Sequence, residues 1–385
     1  MIDLILLSVC TVSAFFWLVL LFMPIRWRMS ERWEACDDSQ SPHSQLPGLS
    51  VIVPARNERD SLPLTLPSWL NQDYPESEII LIDDESTDGT EACAHSISSQ
   101  FNRTIRIIKG TLPPPGWTGK LWALQQGISI STGEWLLFTD ADIRHCPNLW
   151  RGLVTKALIE QREKVSLMAF LDTDGMWARL LIPAFVYFFH FMYPFEKVRD
   201  SKSKISAAAG GCVLISRRAL DTIRGIAGHR NAIIDDLALA RRIKLAGLPL
   251  SLLLTKAAVS VRPYRRLSDV WNMVARSAFT QLWCSWLALI GTVLGMSILF
   301  IAPMAGICAF IGQTVSLATP ILSPTTLLLM AGTYIPTIRL FGLGRSRALT
   351  LPIAGILYMV MTVSSAMNHL FGRHVWRGHR SRNAL

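Results

Sequence analysis

The amino-acid sequence predicts an α/β protein: a Rossmann-like, mostly parallel sheet with transmembrane helices at its N- and C-terminal ends. Three observations lead to that expectation. The 385-residue chain is 50% hydrophobic and 17% charged, with a mean hydropathy of +0.33 that is high for a soluble enzyme, and its long apolar runs flank both ends. Between residues 48 and 263, short β-branched runs alternate with amphipathic stretches, the pattern of parallel strands covered by helices on both faces. The acidic residues of that stretch gather at predicted strand ends, where open α/β sheets place their ligands.

Residues 4–23 form an apolar run of 20, enough to cross a hydrocarbon core of roughly 30 Å as one helix. A cleaved signal peptide is the rival reading, but no basic residue precedes the run, while Arg26, Arg28 and Arg32 follow it. By the positive-inside bias these arginines face the cytosol, so the N-terminus lies outside and the next domain inside. The expected order is an anchor at 1–25, a linker at 26–47 and a catalytic domain at 48–263. Within that domain residues 49–54, 78–83, 105–109, 135–139 and 165–170 read as strands, and 61–71, 87–100, 120–131 and 148–161 as helices.

Residues 176–195 are apolar but carry Arg179, Pro183 and His190. They also separate two acidic clusters that must share one compartment, so an interfacial helix is expected there and not a span. An amphipathic interface segment follows at 264–286. Three further runs, 287–311, 315–335 and 349–371, can each span within a C-terminal region at 287–371, although Pro320, Pro324 and Pro336 could make the second re-entrant. Four spans put the C-terminus outside, whereas Arg373, Arg377, Arg380 and Arg382 of a basic tail at 372–385 favour the inside, so the two rules conflict.

The net charge is +10, but eight Arg and no acidic residue follow Asp269, leaving 30 basic against 28 acidic side chains before it. A nearly neutral folded region argues against a nucleic-acid partner. Seven Cys (10, 36, 93, 146, 212, 284 and 308) are scattered without a C-x-x-C, which disfavours both a structural zinc site and a disulfide framework and suits a reduced, cytosolic domain.

The chemistry gathers at three strand ends. Residues 50–58 read SVIVPARNE, a buried strand stopping at Pro54 and delivering Arg56, Asn57 and Glu58 into a loop. The next strand runs into DDESTDGT at 83–90 and a later one into TDAD at 139–142. Singly, each has a bland reading: Thr87 or Asp88 could cap a helix, and D-x-D arises by chance in loops. Together, on one parallel sheet, they converge on a single edge, where carboxylates repel unless a cation or ligand donors offset them. Asp140 and Asp142 can reach one hard divalent cation, Mg2+ or Mn2+, which keeps coordination positions for phosphate oxygens. The implied ligand is a nucleoside diphosphate. With no G-x-x-x-x-G-K-[ST] loop and no G-x-G-x-x-G after the first strand, a P-loop NTPase and a dinucleotide oxidoreductase are disfavoured.

Over about residues 48–286 the chain resembles the inverting family-2 glycosyltransferases of GT-A fold, through SVIVPARNE, DDESTDGT, TDAD and a later Asp235-Asp236 pair. Residues 113–123, PPPGWTGKLWA, look like the membrane-bound hopene-associated glycosyltransferases, relatives of the ceramide and carotenoid glycosyltransferases. The resemblance implies roles. Pro54, Arg56 and Glu58 line the nucleoside pocket, Asp83 and Asp84 hold base and ribose, Lys120 meets the diphosphate, and Asp140 and Asp142 hold the metal. Asp236 is the general base, with Leu239, Arg242 and Gly247 at the family's spacings and Asp235 where relatives carry Glu. Gly210-Gly211 resembles an acceptor loop whose missing side chains let substrate approach the backbone. The bland readings are a solvated Lys120 at a helix start and an Asp pair favoured by a helix dipole.

In place of the family's Q-x-x-R-W signature stand Arg276, Gln281 and Trp283 in another order. Processive polymerisation is therefore not expected, and Arg276 and Gln281 are candidates for the acceptor side only. The function so implied is hexosyl transfer from a nucleotide-diphosphate sugar, a UDP-sugar, to a hopanoid-type lipid hydroxyl, in an inner-membrane protein whose catalytic domain is cytosolic. Its rivals are a polyprenyl-phosphate glycosyltransferase and a non-catalytic membrane protein that binds nucleotide sugars. Nothing in the sequence speaks to oligomeric state.

Overall fold

Eight strands form one sheet in a computed structural model that describes residues 2–35, 46–311, 318–371, 375–376 and 379–380. They are β1 (Leu49–Ala55), β2 (Ser77–Asp83), β3 (Ile105–Lys109), β4 (Trp135–Thr139), β5 (Ile143–His145), β6 (Lys164–Phe170), β7 (Cys212–Ser216) and β8 (Leu250–Ser260). Their order across the sheet is β3-β2-β1-β4-β7-β6-β8-β5. Strands β1 to β4 are mutually parallel, β7 runs antiparallel between β4 and β6, β6 and β8 are parallel, and β5 closes the far edge antiparallel to β8. The expected strands and helices all form with small shifts of boundary, the helices being Leu62–Leu70, Thr90–Ser98, Gly119–Ile130 and Leu149–Ile159.

Strands β5, β7 and β8 were not marked in the sequence. CVLIS and LSLLLTKAAVS are continuous apolar runs, which periodicity alone does not distinguish from buried helix. The insertion of β7 shapes the site edge. Because Thr139 lies opposite Cys212, residues 210–211 enter at the same edge where β1, β2 and β4 end.

Each face of the sheet is buried, so its strands read as continuous Val, Ile and Leu runs. One face packs Val51, Val53, Leu81, Leu137 and Leu214 into the main core with Leu66 and Trp150, each fully buried large side chain contributing about 1.5–3 kcal/mol. On the other, Ile80 and Ile82 pack on Ala123 of the Gly119–Ile130 helix. Gly127 lets that helix lie directly against Ile52, with no room for a Cβ.

The chain divides into two units. The sheet unit comprises Glu31–Asp172 and Phe195–Pro263, and a helical unit takes Thr173–Pro194, Tyr264–Arg380 and the residues up to Ser30. Two boundaries differ from those read in the sequence. The expected linker at 26–47 is partly built into the sheet unit, where the Trp33 N–H donates to the Leu254 carbonyl (2.9 Å) and Trp33 and Ala35 are buried; residues 36–45, with Cys36, lie outside the described residues. The Met176–Met192 helix, expected within the 48–263 domain, belongs to the helical unit. There the Tyr358 hydroxyl donates to the Leu181 carbonyl (3.0 Å) and Tyr187 bonds Thr333 (2.9 Å).

Among the described residues, four helices of the helical unit are long and apolar enough to cross a membrane: Asp3–Leu21, Trp286–Ile311, Thr319–Leu340 and Arg345–Leu370. Pro324 and Pro336 lie inside one continuous helix, Ala318–Leu340, so the break expected of a re-entrant segment is not found. At the C-terminus Val375–Trp376 pairs with His379–Arg380, while Arg373, Arg377 and Arg382 lie outside the described residues.

Candidate active site

The ends of β1 and β4, the entry to β7, and the Gly119–Ile130 and Asp235–Leu245 helices enclose a pocket. Its polar lining includes Lys120, Asp140, Asp235 and Asp236, with Pro54 and the bare backbone of Gly210. Local chemistry explains how Lys120 arrives there. Gly116 takes a left-handed φ of +85° to turn the PPPGWT loop, and the Thr118 hydroxyl caps the helix by accepting from the Leu121 N–H (3.4 Å). Lys120, in the first turn, then reaches Asp140 Oδ1 at 2.8 Å and Asp235 Oδ2 at 3.5 Å. Burial alone would lower its pKa, but the Asp140, Asp235 and Asp236 carboxylates outweigh it and hold the ammonium charged.

Asp236 is in the opposite position. Burial and the adjacent Asp235 push its pKa up to about 6, against the pull of Lys120, the Leu237 N–H and Lys164. A carboxylate poised near neutrality is what general-base work requires. A Cβ at Gly210 would stand 3.4 Å from Asp236 Oδ2 and 3.5 Å from Lys120 Nζ, so glycine there leaves the space before Asp236 open.

The other expected residues divide into groups. Arg56 pairs with Asp84 (3.5 Å) where β1 and β2 end. Arg262, just beyond β8, bridges Asp142 (3.0 Å) and Glu58 (3.3 Å). Asp83 shapes its own loop by accepting from the Ser86 N–H (3.1 Å), and Asp88 accepts from the Arg59 N–H (3.0 Å), which is the bland structural role. The Gly211 carbonyl accepts from the Asp140 N–H (3.2 Å) and the Thr139 hydroxyl (3.1 Å), stitching β7 to the TDAD turn. Arg276 and Gln281 belong to the helical unit, where Gln281 accepts from the Tyr193 hydroxyl (2.6 Å).

Of the residues that support the site, His145 and Trp150 carried no signal in the sequence. Trp150 Nε1 donates to His145 Nδ1 (2.9 Å), so His145 Nε2 carries the proton and donates to the Thr139 hydroxyl (3.1 Å). Burial lowers the His145 pKa to about 3 and keeps it neutral. Arg242 binds the carbonyls of Gly225 (2.9 Å) and Ile223, holding the loop that brings Ile226 and His229 to the pocket. Gly247, at φ +72°, lets the chain turn just past that helix. The family spacing had flagged Arg242 and Gly247 without showing what they do.

The fit of the side chains to a divalent cation can be judged from their chemistry. Only oxygen donors are present, as Mg2+ and Mn2+ prefer. Asp140 is about a third exposed (36%) and lines the pocket, whereas Asp142 is set back (13%) on Arg262. Among the described residues no group of three His, Cys, Asp or Glu could hold a metal alone. This set does not form a closed cage; it fits a cation that a bound ligand would help to hold, with Asp140 the carboxylate that would reach it.

Residues 50–224 match the family described as glycosyl transferase family 2. The chain carries a family 2 glycosyltransferase domain. Lys120, Asp140, Asp142 and Gly210 fall inside the matched segment, and Asp235 and Asp236 lie beyond it. Among relatives, a beta-monoglucosyldiacylglycerol synthase of Nostoc sp. is 26% identical over 212 residues, 52% of this chain and 42% of that protein. A 4,4'-diaponeurosporenoate glycosyltransferase of Staphylococcus haemolyticus is 27% identical over 236 residues, 56% of each chain. The chain thus spans about half the length of the curated relatives it matches. The family 2 domain and the apolar helices together align with a mannosyltransferase from Pyrobaculum calidifontis, solved with GDP-Man and Mn2+, at a TM-score of 0.57 and 18% identity, covering 95% of this chain and 99% of that one. That likeness shows the GT-A fold.

Proposed function

We propose that this protein moves a hexose, with inversion, from a nucleoside-diphosphate sugar to the hydroxyl of a membrane lipid. One observation carries the reading: in a family 2 domain, the half-buried Asp236 shares a pocket with the Lys120–Asp140 ion pair. In a single displacement Asp236 takes the proton of the acceptor hydroxyl while its oxygen bonds to the anomeric carbon. The bond from that carbon to the diphosphate breaks, and its electron pair leaves with the diphosphate. A positioned base of this kind contributes about 10² to 10⁴ in rate. Lys120 neutralises charge growing on the leaving group, and Pro54, Arg56, Glu58, Asp83 and Asp84 provide the strand-end setting for the nucleoside. A divalent cation at Asp140, backed by Asp142, would supply further neutralisation of the diphosphate.

The lipid acceptor is supported by four helices able to cross a membrane and by relatives named for diacylglycerol and diaponeurosporenoate. The PPPGWTGKLWA segment adds a hopanoid-type acceptor as the specific expectation, with UDP as the nucleotide and the domain on the cytosolic side of the inner membrane. The test is to incubate membranes carrying the protein with labelled UDP-glucose, UDP-N-acetylglucosamine or GDP-mannose and with hopanoid, diacylglycerol or polyprenyl phosphate, identifying products by mass spectrometry. Labelled hopanoid from a UDP-sugar is the expected product. Label only in polyprenyl phosphate, or donor binding with no labelled lipid, would replace this reading with one of its rivals. EDTA should abolish turnover and Mn2+ restore it; full turnover in chelator removes the cation.

A further inference from the structure

Lys164 opens β6, and its side chain is wholly withdrawn from solvent (0% exposed). Its Nζ makes no hydrogen bond among the described residues. A buried ammonium without a partner is costly unless nearby charge offsets it, so its surroundings need an account.

The strand register locates it. Lys164 lies opposite Ile215 and Ser166 opposite Val213, which in turn lies opposite Phe138. Directly opposed residues point to the same face of a sheet, so Lys164 rises on the face where Phe138 and Val213 line the pocket with Asp236 and His229. Two residues on, the Ser166 hydroxyl donates to the Ala209 carbonyl (2.8 Å) and accepts from the Ala209 N–H (2.9 Å). That tie holds the same face of β6 to the loop carrying Gly210. The charged groups acting on Asp236 are Asp235, Lys120 and Lys164, and those acting on His229 are Arg242, Asp235 and Lys164.

We propose that Lys164 is a positioning residue for sugar transfer: its buried ammonium stands behind the Asp235-Asp236 pair and holds Asp236 in the ionised form that accepts a proton. The proposal rests on the reading of Asp236 as general base. Lys120 cannot do this alone, because it is shared with Asp140 and Asp235 and is the cation nearest an incoming diphosphate. A donor's negative charge would raise the proton affinity of Asp236 just when the base must be free. Lys164 has no competing hydrogen-bond partner, so its charge stays directed at the base. Burial lowers its own pKa to about 8, which leaves it charged at neutral pH, while His229 is kept neutral by burial and Arg242, with a pKa of about 4.

The test uses the full chain with Lys164→Met and Lys164→Gln, the second retaining a polar side chain in case the first does not fold. Aspartate carboxyls labelled with 13C are titrated by NMR without any ligand, the Asp236 resonance being the one lost in Asp236→Asn. Both variants should raise the Asp236 pKa by about one unit, roughly tenfold in proton affinity. The acid limb of turnover, measured with a lipid and donor that react in the assay above, should move to higher pH by the same amount, with the largest loss at low pH. An unmoved Asp236 titration in a folded variant overturns the role of Lys164 and leaves the base intact. Failure of both variants to fold would make Lys164 structural. Native turnover in Asp236→Asn instead removes the base, and this proposal with it.

Discussion

Asp236 is where chemistry and helix architecture must be told apart, because it occupies the first turn of the Asp235–Leu245 helix and also faces the pocket. A carboxylate favoured only by the helix dipole is replaced by Asn at little cost. A base is not, so Asp236→Asn should keep donor affinity by calorimetry while turnover falls by about 10² or more. Near-native turnover would end the assignment. Asp235→Asn should act differently: with the neighbouring charge gone, Asp236 loses one of the causes that raise its pKa, and the acid limb of turnover should move to lower pH with a smaller loss of rate. The base works only when ionised, so native activity should rise as pH climbs through about 6. Lys120, Asp140 and Asp236 were legible because each sits in a short motif. Lys164 and Arg262 were not, since each is a single basic residue outside any short motif.

At the scale of elements, the site depends on how β4 and β7 are pinned at their shared edge. The chain of bonds from Trp150 through His145 and Thr139 to the Gly211 carbonyl joins a helix, β5, β4 and the loop that enters β7. Trp150→Phe keeps the ring but leaves His145 Nδ1 buried without a donor, which should cost about 1–3 kcal/mol as a lower melting temperature in detergent. A melting temperature equal to that of the native chain would show that the network does not carry load. Strands β1 to β4 and β6 could be read from the sequence because each is a β-branched run followed by a helix. Antiparallel β7 and long β8 escaped because a continuous apolar run fits buried helix as well as strand. The Met176–Met192 helix, read as interfacial within the 48–263 range, groups with the helical unit, because its apolar pattern does not say which unit it joins.

For the whole molecule, the division into a sheet unit and a helical unit makes compartment the open question. Donor, carboxylates and base must meet on one side of a membrane, so cysteines introduced at Asp88 and Arg230 should both resist an impermeant reagent in intact cells and both react once the cells are opened. Reaction at one alone in intact cells would mean that the chain crosses the bilayer between them, through the Met176–Met192 helix.

The sequence by itself determined the apolar runs long enough to span a membrane, the strand-and-helix alternation and the acidic strand ends, because each of these follows from residues adjacent in the chain. Tertiary structure decided the pairings. Asp140 lies with Lys120 and Asp235 in the pocket, whereas Asp142, only two residues away, turns to Arg262. Both lie in the turn between β4 and β5 and outside either strand, so the partner each one meets depends on which strands lie beside that turn, that is, on strand order and register. Those are set only when β7 inserts between β4 and β6. The same insertion brings β6, and with it a buried lysine, to the face that carries the candidate base, a proximity that neither segment encodes alone.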